Sequence, residues 1–171
     1  YYSGKTIETS THSQLESTFN TVNQFVGENS YVIQQGITIP TVNGAIFDIR
    51  VIMVHNGDDW QWFHTVRHGT AESDLSNLSQ GGILRALEDF LENHFDRLAG
   101  SILDTLRSTS FGLAQFLDAF SPGNLLEIAF DYLLDEKHQL YLAEINVKPG
   151  MRVGRRFKNL FSRSQTDEQC Y

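Results

Sequence analysis

Three oxygen-bearing residues near the end of the chain have the types and spacing to do chemistry. Glu144 and Asn146 stand two apart in the strand-like run "LYLAEINV", and Asp131 lies in the preceding strand-like run "LLEIAFDYLL". Residues two apart in a strand point to one face, so Glu144 and Asn146 present a carboxylate beside an amide oxygen. If the two runs pair across the "DEKHQ" turn, Asp131 lies opposite or nearly opposite Glu144. Like charges across a sheet repel, and a cation between them removes the repulsion. Two carboxylates and an amide, with no His or Cys beside them, suit Mg²⁺ better than zinc. An ordinary polar hairpin is the alternative that this spacing alone leaves open.

The elements that must position these groups are readable from periodicity. "AIFDIRVIMVHNG" places Ile46, Asp48, Arg50, Ile52 and Val54 on one strand face and Phe47, Ile49, Val51 and Met53 on the other. Asn56-Gly57 marks a turn, and "DWQWFHTVRH" returns, so residues 47–68 read as a β-hairpin. Earlier, Ser13-x-x-Glu16 followed by Leu15, Phe19, Val22 and Val26 predicts a helix closed by Gly27. "SYVIQQGI", residues 30–37, reads as a short strand. From Gly82 a helical pattern runs through Leu106 with a break near Gly100, and a second pattern spans Phe111 to Phe120.

Composition sets the outer bounds. With 171 residues, 40% hydrophobic and 12% aromatic, there is material for one ordinary core. The formal charge of -8 argues against a nucleic-acid or anionic-membrane partner. A single cysteine, Cys170, excludes an internal disulfide and fits a reducing cytoplasm. There is no apolar run long enough for a membrane span and no signal-peptide core at "YYSGKTIETS". That opening, without an initiator Met, reads as a cut, and a fragment is expected. The six histidines form no metal-ligand spacing on one helix face, and "SGKT" at residues 3–6 lacks the strand and glycine of a P-loop before it.

Four motifs, "YVIQQGI", "FDIRVIMV", "SNLSQGG" and "LEIAFDYLLDEKHQLYLAEINVKPGM", occur in the order seen in the C-terminal half of ATP-grasp enzymes. The arrangement resembles most the YheC/YheD group of endospore coat-associated ATP-grasp proteins, and more distantly the RimK and glutathione synthetase type ligases. It covers roughly residues 30–151. The fold implied is α+β, an antiparallel sheet packed against helices, with residues 1–151 as a partial ATP-grasp domain and residues 152–171 as a basic tail. The activity implied is an ATP- and Mg²⁺-dependent carboxylate–amine ligase acting through an acyl-phosphate on an unknown carboxylate. A nucleotide-binding or spore coat-associated protein without turnover is the alternative.

The resemblance also implies roles. Asp131, Glu144 and Asn146 match the metal ligands, and Gln34, Gln35 and Ile37 match the hinge strand whose backbone contacts adenine. Arg50 and Arg67 match basic positions beside the transferred phosphate, where a planar fork binds two oxygens at once. For Arg50, an ion pair with its same-face neighbour Asp48 is the structural alternative. Asn77 with Gly81 and Gly82 resembles an N-x-x-x-G-G loop touching phosphate or acyl intermediate, with Gly82 expected at a helix start, where free N–H groups favour anions. The phosphate-contacting lysine and glycine-rich loop of the family would precede Tyr1, and Lys5 lacks that context. The tail, with Arg152, Arg155, Arg156, Lys158 and Arg163, departs from the helix that usually follows, and reads as an exposed tail rather than a basic amphipathic helix.

Overall fold

The structure is a computed structural model that describes residues 2–3, 6–7, 15–27, 35–69, 82–120 and 125–147. The chain divides into two units, Tyr1–Gly36 and Ile37–Tyr171.

In the first unit, β1 (Tyr2–Ser3) and β2 (Thr6–Ile7) pair antiparallel. Helix α1 (Leu15–Val26) forms where the apolar spacing predicts it, and Gly27 closes it at φ +60, donating its N–H to the Asn23 carbonyl at 2.9 Å. Glycine enters that left-handed region without a Cβ penalty. Ser13, Gln34 and the rest of 28–34 lie outside the described residues. Gln35 and Gly36 belong to no strand, so the predicted strand over 30–37 is absent from its described end.

The second unit is built on an antiparallel sheet in the order β5-β4-β3-β6-β7. Its centre is the predicted hairpin, β3 (Phe47–His55) and β4 (Trp60–His68). The turn has four residues: Asn56 Oδ1 accepts from the Asp58 and Asp59 N–H groups at 3.0 and 2.9 Å, and Gly57 takes φ +107. β6 (Glu127–Leu134) pairs with β3, and β7 (Leu140–Asn146) pairs with β6. Between them Asp135 Oδ1 accepts from the Lys137 and Gln139 N–H groups, both at 2.8 Å, which fixes the turn.

The expected helix start at Gly82 is overturned. Ile83–Arg85 forms β5, paired with Val66–His68 of β4, and α2 (Leu87–Phe95) begins only after it. An apolar run this short fits either period, and the open edge of β4 decides for strand. The helical break comes at Asp96, φ +39, and a 3₁₀ turn (Asp96–Leu98) leads into α3 (Ala99–Phe120), which runs unbroken through Gly100 and merges the two predicted helices.

Both helices cover one face of the sheet. Phe47, Ile49, Val51 and Met53 of β3 with Ile128, Phe130, Tyr132 and Leu134 of β6 meet Leu87, Phe90, Leu91, Ile102 and Leu106 in one buried cluster. Burying such a side chain fully stabilises by about 1.5–3 kcal/mol. Phe47 and Phe90 rings stand 4.9 Å apart, and the buried Ser110 and Tyr132 hydroxyls bond at 2.9 Å. Burial raises the Tyr132 pKa, and the Ser110 bond opposes that only in part. Among the described residues no helix is long and apolar enough to cross a membrane. Residues 148–171, the basic tail included, lie outside the described residues.

Candidate functional site

The opposite face of the sheet carries the chemistry-bearing residues in rows set by the strand register. One row joins Arg67 of β4 to Asp48 of β3. The next runs across four strands as Thr65, Arg50, Asp131 and Glu144, and the one after as Phe63, Ile52, Ala129 and Asn146. The last row is the apolar floor, where Ile52 and Ala129 pack with Val54 and Phe63.

A β-bulge completes the second row. Tyr132 pairs with Leu142 and Asp131 with Glu144, so Ala143 is the extra residue. Without it Asp131 would face Ala143, and Glu144 would fall opposite Phe130 on the helix-covered face, because a slip of one residue turns a side chain over. The bulge therefore aims Glu144 and Asn146 at the Asp131 side, a re-aiming for which bulges recur beside functional sites.

Asp48, Arg67 and Asp131 are buried, and Arg50 is nearly so, with 14% of its side chain exposed. Arg50 donates from Nε to Asp131 Oδ1 at 2.7 Å and from Nη2 to Asp131 Oδ2 at 2.6 Å, a fork-to-fork pair. Arg67 Nη2 reaches the same Oδ2 at 3.0 Å, and its Nε donates to Asp48 Oδ1 at 2.5 Å. The alternative pairing of Arg50 with Asp48 is replaced: Arg50 reaches across to β6, and Asp48 holds Arg67. Burial by itself would lower the Arg67 pKa, but the hydrogen bond and charge of Asp48, joined by those of Asp131, outweigh it and hold the guanidinium above its ordinary value. Two positive and two negative groups thus form a neutral quartet below the protein surface.

Glu144 is exposed and Asn146 half-buried, on edge strand β7. Among the described residues no three His, Cys, Asp or Glu side chains gather as a metal site. This face offers two carboxylates and an amide, hard oxygen donors of the kind that bind Mg²⁺ together with substrate phosphates. Asp131 has three of its roughly four acceptor positions taken by guanidinium, so the set fits a divalent cation once an arginine yields.

Gln35 is exposed and Ile37 half-buried, both outside regular structure. Gly82 is buried and leads into β5 rather than a helix. Gln34, Asn77 and Gly81 lie outside the described residues. Sequence reasoning missed Asp48 as the group that holds Arg67, and Thr65, whose hydroxyl donates to the Arg85 carbonyl at 2.9 Å. The D-x-R spacing with a basic residue on the returning strand was the available signal for Asp48. A groove of about 570 Å³ between α3 and β7, lined by Thr105, Thr109, Tyr132 and Leu142 among others, opens on the helix side and is separate from the quartet.

The family described as YheC/D like ATP-grasp matches residues 1–169. The chain is 27% identical over 154 residues to the endospore coat-associated protein YheC of Bacillus subtilis (strain 168), covering 89% of this chain and 42% of that protein. It is 24% identical over 128 residues to the endospore coat-associated protein YheD of the same organism, covering 73% of this chain and 28% of that protein. The chain therefore spans less than half the length of either relative. With the antiparallel sheet, its helices and a match over nearly every residue, the chain belongs to the YheC/D-like ATP-grasp family.

Proposed function

We propose that this chain is the C-terminal part of an ATP-grasp protein of the carboxylate–amine ligase type, using ATP and Mg²⁺. The observation that carries the reading is the row Arg50, Asp131, Glu144 with Asn146 beside it, paired carboxylates adjoining two guanidiniums on one sheet face. In that reaction a carboxylate oxygen takes the γ-phosphoryl group as ADP leaves, and an amine then displaces phosphate from the acyl carbon. Asp131, Glu144 and Asn146 would hold the metal. A bound Mg²⁺ neutralises and orders the phosphate oxygens.

The chain's own residues do the remaining work. Arg50 and Arg67 present N–H donors from a buried, low-dielectric face toward charge on the transferred phosphoryl group. The apolar floor of Ile52, Ala129 and Phe63 keeps water from that face. Adenine recognition falls to the backbone at Gln34, Gln35 and Ile37, and Asn77, Gly81 and Gly82 contact the phosphate or acyl group.

Calorimetry of ATP with the full-length protein, with and without Mg²⁺, tests this beside Glu144→Gln, an exposed change that leaves the fold alone. ATP binding that needs Mg²⁺ and weakens about tenfold or more in the variant is expected, the loss of one charged ligand contact. Equal binding by wild type and variant removes the metal platform. A second reading, a spore coat-associated protein without turnover, is favoured by the printed names of both relatives. It becomes the better account if the protein ignores ATP.

A further inference from the structure

Asp131 is claimed twice, by two guanidiniums in this structure and by a cation in the proposed function. Both Arg50 contacts go to Asp131, one to each oxygen, while Arg67 divides itself between Asp131 Oδ2 and Asp48 Oδ1. Among the described residues, Asp131 is the one ion-pair partner of Arg50, and Arg67 has two. A divalent cation needs lone pairs of that carboxylate and repels a neighbouring guanidinium. The arginine with a second carboxylate is retained; the one without it is displaced.

We propose that Asp131 is an exchange carboxylate: a divalent cation taken up at Asp131 and Glu144 frees Arg50 for an anion, while Asp48 keeps Arg67 fixed. The inference rests on the metal assignment above. A freed Arg50, with 14% of its side chain exposed, is a buried charge without a partner, an unfavourable state until a phosphoryl oxygen fills the fork. Cation and phosphate therefore bind cooperatively, each raising affinity for the other by the same factor. Without the cation Arg50 is occupied, and phosphate alone finds a closed site. Asp48 is a positioning residue, acting through Arg67.

The test follows the Nε–Hε signals of Arg50 and Arg67 by nuclear magnetic resonance in the full-length protein, assigned with Arg50→Lys and Arg67→Lys. The probes are Mg²⁺ alone and then inorganic phosphate, with Mg²⁺ binding measured in parallel by calorimetry on wild type and Glu144→Gln. Mg²⁺ is expected to shift the Arg50 signal and speed its exchange with water, leaving Arg67 protected, and phosphate to restore Arg50. In Asp48→Asn both signals should respond. Arg50→Gln, lacking the competitor, should bind Mg²⁺ about tenfold tighter, within the usual range of coupling between sites. If Mg²⁺ binds through Glu144 yet both arginines move, or neither does, the exchange is wrong and the metal assignment stands. If calorimetry finds no Mg²⁺ binding in wild type, the metal assignment fails and takes the exchange with it.

Discussion

The two faces of β3 and β6 both bury residues, the helix side almost completely and the other less so, and they are built from opposite chemistry. On the helix side, Phe47, Ile49, Val51, Met53, Ile128 and Phe130 fill the core, and the polar contact is a neutral one, Ser110 to Tyr132. On the other side the buried positions include Asp48, Arg67 and Asp131, with Ile52 and Ala129 as the apolar remainder. Apolar burial stabilises in proportion to area, whereas the desolvation of a buried ion pair about cancels its attraction. A fold seeking stability alone has no use for the second face. The quartet therefore reads as a prepared electrostatic surface, in agreement with its proposed role.

Single changes do not separate the faces. Asp131→Ala strands the Arg50 guanidinium and takes one of two carboxylates from Arg67. It should cost about 3–5 kcal/mol in chemical denaturation, and Phe130→Ala, which opens a cavity beside Tyr132, about the same. Compensated changes do separate them. Replacing the quartet together, as Asp48→Leu, Arg50→Met, Arg67→Met and Asp131→Leu, should return stability to within about 1 kcal/mol of wild type while abolishing Mg²⁺-dependent nucleotide binding. A quartet variant as unstable as Asp131→Ala would mean that the ion pairs hold the sheet together, and the contrast between faces would disappear. On the helix side, Tyr132→Phe leaves the buried Ser110 hydroxyl unpaired and should cost about 1–2 kcal/mol.

Strand alternation made the faces of β3 legible, because burial on both sides leaves period two visible in residue type: Asp48 and Arg50 on one, Ile49 and Val51 on the other. The opposition of Asp131 and Glu144 was legible only as near, since nothing in "LYLAEIN" announces that Ala143 is an extra residue. Partner choice was hidden in turn length. A two-residue turn at Asn56-Gly57 pairs His55 with Asp58 and Asp48 with Thr65; the four-residue turn held by Asn56 Oδ1 pairs Asp48 with Arg67. Two residues of register keep every side chain on its face and change every ion pair. The β5 segment was misread as helix because Ile83 and Leu84 alone carry no period, and the edge that captures them lies 15 to 17 residues earlier in the chain, at His68 and Arg67.

A smaller test probes His64, a titratable group on the helix side between β4 and α2. His64 Nε2 stands 3.3 Å from Glu88 Oε1, its ring lies 4.4 Å from that of Trp62, and its buried Nδ1 has no hydrogen-bond partner among the described residues. Arg107 sits over the far system, 5.7 Å from the Trp62 ring centre. Burial lowers the His64 pKa below 6.5, and the Glu88 charge recovers only part of the shift. Over that window the unfolded chain binds more protons than the folded one, so the contribution of His64 is present above pH 6.5 and is lost as pH falls through the folded-state value. The effect should be the smallest of those predicted here. Subtracting the denaturation curve of His64→Phe from that of wild type isolates it: the difference should fall as the pH drops below about 6.5, the ordinary histidine value. A flat difference would mean that Glu88 compensates the imidazolium fully, and that the apolar side of the sheet tolerates a charge as readily as the side built from four of them.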